Sequence, residues 1–427
     1  MFMQERMSDV VSDVIGIGFG PSNLGFAIAA SECQAYEDGR ISAVFVESKQ
    51  RFGWHPGMML PGATMQIAFP KDLVTMRNPR SEYSFFSYLH EQGRMVDFIN
   101  HQTFFPSRRE FGDYLAWAAE RVNADVRYGT RAVGIRFEND LAIVICDGPE
   151  GLIEFRARNV LFAPGLTPRL PDGVRTSDRV FHNHGLLEAL PRIPSAPTGS
   201  FVVLGAGQSA AEVAHYLHSE YPTAEVHVVH AKFGMTPADD SPFANRVFDP
   251  DTVDRWYGAT PQVRARMLNY HKGANYSAVD GELIAELYRR EYQEKVAGAR
   301  RLFVHGATEL RDVSEGADSV TLDLVDQLAG ESWTLETDAL ICATGFRPGN
   351  VRDLLGDAAF ECSFDGTDPV VSRDYRLHTS DAISAGIYLN GGVQGTHGLS
   401  STLLSTIAIR SGEILDSVRR HAGLQVS

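Results

Sequence analysis

One glycine-spaced turn, present twice, constrains this chain more than any other feature. Gly18-Phe19-Gly20-Pro21-Ser22-Asn23 follows the apolar run Asp13-Val14-Ile15-Gly16-Ile17, and Gly205-Ala206-Gly207-Gln208-Ser209-Ala210 follows Ser200-Phe201-Val202-Val203-Leu204. Each turn leads into a helical pattern. The first glycine permits a tight strand-to-helix bend, and the second leaves the backbone bare where a pyrophosphate must approach the helix N-terminus. Asn23 and Ala210 stand where a third glycine is usual. A single such turn is weak, since ordinary turns produce the same spacing. Two of them, each between a strand and a helix, point to two dinucleotides: a flavin at the first turn and a nicotinamide at the second. The fold class expected is α/β, with two Rossmann-like dinucleotide-binding domains.

The 427 residues allow two or three interleaved domains with sizeable cores. A net charge of −15 with no basic stripe argues against nucleic acid or an anionic membrane as partner. No apolar run is long enough to span a bilayer, and Met1-Phe2-Met3-Gln4-Glu5-Arg6 lacks the regions of a secretion signal, so a cytoplasmic location is expected. Cys33, Cys146, Cys342 and Cys362 lie far apart, with no C-x-x-C and no histidine at ligand spacing. They read as isolated thiols packed like small apolar residues, with neither disulfide nor metal site. Nor is there a cysteine pair for disulfide-reductase chemistry.

The strand Ile41–Val46 ends in Glu47, where an acid grips the adenosine ribose hydroxyls in dinucleotide folds. A solvated strand-end carboxylate is the alternative reading. Residues 54–80, rich in Gly, Pro and Met, show no clear periodicity, and long irregular segments in compact enzymes tend to be functional. A helix is predicted over Arg109–Val122, followed by strands near 125–128, 132–137, 142–145 and 159–165. The Pro-rich stretch Leu190–Pro197 reads as a linker into the second nucleotide unit, and the apolar run from Asp338 to Phe346 as a strand returning to the first. The predicted division is therefore 10–195 plus 338–422 for the first domain, 196–240 plus 300–337 for the second, and a helix-rich insert over 241–299.

These motifs, taken with Trp54-His55-Pro56-Gly57-Met58, Met65-Gln66-Ile67, Lys71-Asp72-Leu73, Arg77-Asn78-Pro79-Arg80-Ser81, Phe105-Pro106-Ser107-Arg108, Asp239–Asn245, Asn275-Tyr276-Ser277, Ala343-Thr344-Gly345 and Thr396–Ser400, resemble one family over nearly the whole chain. That family is the class B N-hydroxylating flavoprotein monooxygenases of siderophore biosynthesis, the ornithine and lysine N-monooxygenases. The resemblance implies that NADPH reduces FAD, that O2 adds at flavin C4a, and that the C4a-hydroperoxyflavin passes its distal oxygen to a neutral primary amine. It implies FAD contacts at Gly18, Gly20, Pro21, Asn23, Leu24, Glu47, Ser48 and Lys49, and at Leu399. Trp54, His55, Met65, Gln66 and Arg108 are implied beside the isoalloxazine. For NADPH it implies Gly205, Gly207, Gln208, Ser209, Glu212, Ala343, Thr344 and Gly345. Lys71 is implied on the substrate carboxylate, with Asn245, Asn275 and Ser401 around the rest of the amino acid, and Gln66, Arg108 and Asn275 in catalytic roles. Read singly, His55 is a structural histidine and Lys71 a solvated lysine; only the motif context changes that. The insert becomes a small substrate-binding region, no metal is implied, and relatives suggest a homo-oligomer, a tetramer by analogy.

One departure concerns the nucleotide. Relatives carry an arginine shortly after the second unit's last strand, facing the 2′-phosphate, where this chain reads His230-Ala231-Lys232-Phe233. Lys232 supplies a cation, and no acid ends that strand to grip a ribose 2′-hydroxyl, so NADPH is favoured over NADH. Ornithine and lysine differ by one methylene, worth about 1–3 kcal/mol, and the sequence leaves both open together with the diamines. A diamine would leave Lys71 without its carboxylate, which favours an amino acid. A Baeyer–Villiger or sulfur-oxidising flavin monooxygenase and a non-catalytic redox sensor are the other classes that two fingerprints allow.

Overall fold

The computed structural model describes residues 6–33, 41–194, 199–274 and 276–422. Alternating short apolar strands and amphipathic helices give two parallel-sheet units, as an α/β pattern requires. In the first, the strands Asp125–Tyr128, Ala43–Glu47, Arg6–Ile17 and Gly151–Phe162 lie side by side in parallel. The far edge of Gly151–Phe162 is shared. Its first half pairs antiparallel with Leu141–Gly148, and its last four residues pair in parallel with Gly386–Leu389. The second sheet is wholly parallel in the order Leu302–His305, Glu225–Val229, Ser200–Leu204, Ala339–Cys342, Val180–His182. A three-stranded antiparallel layer spanning 308–337 covers one of its faces, burying Val320, Leu322 and Leu324 against Val202, Leu204 and Leu340.

Sheet membership moves the expected boundaries. Ala339–Cys342 pairs with Ser200–Leu204 and with Val180–His182, so the second sheet begins before 196 and runs past 338. The first sheet is rejoined only at Gly386. Between the units the chain crosses at one antiparallel pair, Leu166–Pro168 with Phe346–Pro348. An apolar four-residue run is a buried strand in either sheet, and only long-range pairing decides which. The Pro-rich stretch is likewise no free linker, because Leu186, Leu190 and Ile193 are buried in the second core; residues 195–198 lie outside the described set. The insert divides too. Val279 and Leu287 join that same core, and the helix Gly281–Ala297 packs on the helix Gln208–Glu220 and the strand Leu302–His305, which leaves 241–274 as the part standing outside it.

The four cysteines are free, and burial pushes the Cys146 and Cys342 thiols up to about 12, which makes them inert packing groups. Among the described residues no helix is long and apolar enough to cross a membrane.

Candidate cofactor and substrate site

The two glycine turns are built alike. Gly18 has φ +83°, and a Cβ there would lie 2.3 Å from Ala163 O; Gly205 has φ +148°, and its Cβ would lie 2.3 Å from Ala343 O. Each first glycine is thus demanded by the carbonyl of the residue just after the adjacent strand. The second glycines differ. Gly20, the N-cap of the helix Pro21–Ser31, has ordinary φ −89°, and a Cβ on it would meet no protein atom within 4 Å. Protein sterics leave position 20 open, while a pyrophosphate at the helix N-terminus would close it. Neither this helix nor Gln208–Glu220 has a side-chain cap or an acid in its first turn, so both leave their N-terminal N–H groups to an outside anion.

Around the first turn the sequence assignments sort themselves. Glu47 is buried; its Oε2 accepts the Phe19 N–H at 2.8 Å and its Oε1 the Lys49 N–H at 2.8 Å and the Ser48 hydroxyl at 3.3 Å, so the acid is locked at the mouth of the turn. Lys49 reaches Gly53 O with its Nζ. Asn23 is fully buried and donates to Gly18 O at 2.7 Å and Ile17 O at 3.3 Å, bracing the turn from beneath in place of a third glycine. Leu24 is a core residue: its side chain is fully buried and its N–H donates to Gly20 O. Pro21 opens the helix at N1, where no donor is lost.

The irregular segment is held by backbone pairing with the run before the helix Arg108–Arg121. Arg108 N–H donates to Ala63 O, Met65 N–H to Pro106 O, and Phe69 N–H to Phe104 O. Met65 is thereby buried and Gln66 exposed, on alternate sides of the strip. Arg108 is not a free cation. Its guanidinium forks the Glu212 carboxylate with two 2.7 Å bonds and also donates to Met58 O at 3.1 Å. Glu212 in turn accepts from Gln208 Nε2 at 3.0 Å, and Gln208 Oε1 accepts the Asp280 N–H at 2.8 Å, so residues assigned to the two cofactors form one network across the units.

Trp54 packs edge-on against Phe111 and His55, and His55 stands at φ +45° with its Nδ1 3.4 Å from Nδ1 of His184. His184 gives its N–H to His182 Nδ1 at 3.2 Å, and His182 Nε2 lies 2.9 Å from Gly345 O. The carbonyl can only accept, so His182 carries its proton on Nε2 and is neutral. Phe346 sits among all three rings. Nothing in the sequence singled out His182 or His184, since the contact spans 129 residues. Burial, aided by His184, lowers His55 to about 4; burial chiefly lowers His305 and His397 to about 4 as well. These rings are neutral in the fold and protonate near 6.5 once unfolded, so between about 4 and 6.5 the unfolded chain binds more protons. Stability is then complete above pH 6.5 and lost as pH falls. Calorimetric scans should show a melting temperature that is level above about pH 7 and drops steadily from about pH 6.5 to 5; a level trace through that acid range would contradict the neutral assignment.

On the substrate side, Lys71 is half-buried, and its Nζ has no carboxylate or carbonyl partner among the described residues. Its position is set by Asp72, whose carboxylate accepts from the N–H groups of Val74, Thr75 and Phe85 and from the Thr75 hydroxyl. Asn245 lies in the turn Ala244–Phe248, donates to Asp240 O at 2.8 Å, and belongs to a segment packed on the turn Leu399–Thr402. Leu399 and Ser401 are buried there, and Ser401 Oγ has no hydrogen-bond partner among the described residues. Asn275 lies outside the described residues. Its neighbours are placed: the Tyr276 hydroxyl donates to Gln394 Oε1 at 3.0 Å, and Ser277 O accepts from Lys232 Nζ at 2.7 Å. The exposed Lys232 therefore touches the loop that carries Asn275. Ser277 lies over the second turn, 3.4 Å from where a Gly207 Cβ would be. In the 343–345 turn, the Thr344 hydroxyl donates to Arg169 O and Ala343 is buried. Among the described residues no cluster of three metal-ligating side chains occurs.

A family model described as L-lysine 6-monooxygenase/L-ornithine 5-monooxygenase matches residues 10–348. The chain is 38% identical to an L-ornithine N(5)-monooxygenase of Pseudomonas aeruginosa, over 98% of this chain and 96% of that protein. It superposes on an ornithine N-hydroxylase of Kutzneria sp. 744, solved with reduced FAD, NADP+ and L-ornithine, with TM-score 0.93 and 41% identity over 96% of this chain and 99% of that one. An L-lysine 6-monooxygenase of Pseudomonas syringae superposes with TM-score 0.84 and 32% identity over 96% and 99%.

Proposed function

The chain belongs to the L-lysine 6-monooxygenase/L-ornithine 5-monooxygenase family, and on that premise we propose that it hydroxylates the side-chain amine of L-ornithine at N5 for hydroxamate siderophore biosynthesis. It is a flavin-dependent N-monooxygenase that uses FAD, NADPH and O2. The observation that carries ornithine over lysine is the pair of near-full-length relatives at 38% and 41% identity, both ornithine enzymes, against 32% for the lysine enzyme.

FAD belongs on the Gly18–Asn23 turn, where Gly20 leaves room for its pyrophosphate and Glu47 faces the ribose; NADPH belongs on Gly205–Ser209, with Lys232 as the cation for its 2′-phosphate. Bound FAD supplies the oxygen-activating chemistry. The residues of the chain do the rest. Lys71, held by the Asp72 turn, takes the substrate carboxylate, and Asn245 and Asn275 take the α-substituents. The buried Leu399–Ser401 turn and Met65 exclude water around the amine end, which must be neutral to attack oxygen. Arg108, Glu212 and Gln208 hold the two nucleotide sites in one frame. A cytoplasmic homotetramer completes the proposal, and light scattering on the purified protein tests the assembly.

Lys71→Ala tests the substrate assignment. The KM for ornithine should rise about 10- to 100-fold, the loss of one hydrogen-bonded ion pair, while NADPH-driven flavin reduction stays near wild type. Putrescine, which has no carboxylate, should be turned over equally poorly by both proteins. An unchanged ornithine KM would remove Lys71 from the substrate site, and a product formed faster from lysine than from ornithine would overturn the substrate.

A further inference from the structure

Arg410, in the helix Ile407–His421, heads the fully buried large side chains at 1% exposure. Its guanidinium meets no carboxylate among the described residues. Nε donates to Asn390 Oδ1 at 2.9 Å, Nη1 to Ser401 O at 2.7 Å and Thr406 Oγ1 at 3.5 Å, and Nη2 to Ser22 Oγ at 3.3 Å. The titratable groups that act on it are Tyr375 and Glu413, and the Glu413 carboxylate is already forked by Arg373. Burying a cation without an anion costs several kcal/mol, and a guanidinium cannot escape by losing its proton. Neutral acceptors recover only part of that.

Two of these contacts, those to Ser22 and Asn390, lead toward the first glycine turn. Ser22 stands in the first turn of the helix Pro21–Ser31, two residues after Gly20. Because arginine only donates, Ser22 Oγ is the acceptor in their bond, and the hydroxyl proton of Ser22 has no acceptor among the described residues. Asn390 joins the same group: its Nδ2 donates to Ser22 O at 2.9 Å and to Asn23 Oδ1 at 3.2 Å while its Oδ1 accepts from Arg410. One hydroxyl thus stands between a buried cation and a helix N-terminus of the kind that binds anions.

We propose that Arg410 is the buried counter-charge of the FAD pyrophosphate, a positioning residue acting through Ser22, so that cofactor binding relieves a charge which the cofactor-free fold holds uncompensated. This rests on FAD occupying the first turn. An electrostatic role of this kind separates from a packing role by comparing stability with and without cofactor. A buried charge replaced by an apolar side chain of similar length is often neutral or stabilising where the charge lacked a partner.

The experiment strips FAD from wild type, Arg410→Met, Arg410→Lys and Ser22→Ala, then measures the FAD dissociation constant by flavin fluorescence quenching and the melting temperature with and without FAD. Arg410→Met should melt, cofactor-free, at or above the wild-type temperature, bind FAD at least about tenfold more weakly, and lose most of the melting-temperature rise that FAD gives wild type. Arg410→Lys should restore part of that affinity. Ser22→Ala, an exchange that cannot unfold the helix, should weaken FAD binding several-fold and add little when combined with Arg410→Met. Equal losses of melting temperature with and without FAD at an unchanged dissociation constant would make Arg410 a structural residue, and wild-type affinity in Ser22→Ala would break the link through Ser22 even if Arg410→Met failed to fold. Gly20→Val separates the premise: if it keeps FAD, the cofactor placement fails; if it loses FAD while Arg410→Met binds normally, only the counter-charge fails.

Discussion

Gly20→Val is expected to yield a folded, colourless protein with no flavin and no NADPH oxidation, the largest effect on function of any substitution that leaves the fold intact. A Cβ at position 20 has no protein atom within 4 Å, and the backbone there is in a region open to any residue, so valine disturbs neither sheet nor helix. What it fills is the space over the helix N-terminus that a pyrophosphate needs. Gly18→Val would look similar in an activity assay and mean something else, because its side chain would be driven into Ala163 O at φ +83°, and the strand Gly151–Phe162 and its neighbours would shift. Circular dichroism and flavin absorbance together distinguish the two. Gly20→Val should keep its secondary structure and lose its colour; Gly18→Val should lose both. A yellow, fully loaded Gly20→Val protein would place the FAD elsewhere.

That contrast also marks what the sequence could and could not tell. The turns were legible because a glycine, a strand and a helix within ten residues are local, and local patterns are written in the order of the chain. The spacing could not say which glycine answers to the protein and which to a ligand, since both look alike until the Ala163 and Ala343 carbonyls are placed beside them. The division into units failed at 196 and 338 for the same reason. Val180–His182 is three residues long, and the apolar Ala339–Cys342 matches a buried strand of either sheet until its register with Ser200–Leu204 is known. Residues that act through distant partners were invisible or misread. His184 meets His55 across 129 positions, Arg410 meets Ser22 across 388, and Arg108, implied beside the isoalloxazine, is also forked by Glu212. Asp72 carries no signal of its own in the sequence, yet its four accepted hydrogen bonds are what hold Lys71 in place.

Glu212→Ala is expected to have the second-largest effect, because it strands a largely buried guanidinium. Arg108 and Glu212 are 14% and 5% exposed and joined by a two-pronged fork, and removing one member of such a pair costs about 3–5 kcal/mol, mostly from leaving the other charge unpaired. The melting temperature should fall by several degrees. NADPH-driven flavin reduction should also slow, since Glu212 anchors Gln208, whose carbonyl caps the Asp280 N–H at the start of the helix Gly281–Ala297, and that chain fixes the second nucleotide turn against the first unit. Reduction by dithionite, which needs no bound nucleotide, should be unchanged. The double replacement Arg108→Met with Glu212→Leu separates stability from positioning: with no charge left to strand, most of the lost stability should return. The slow reduction should not, because two apolar side chains cannot hold Gln208. If the double variant regained wild-type reduction by NADPH, the fork would be a stability device only; if Glu212→Ala alone melted and reduced like wild type, the pair would not join the two units in solution.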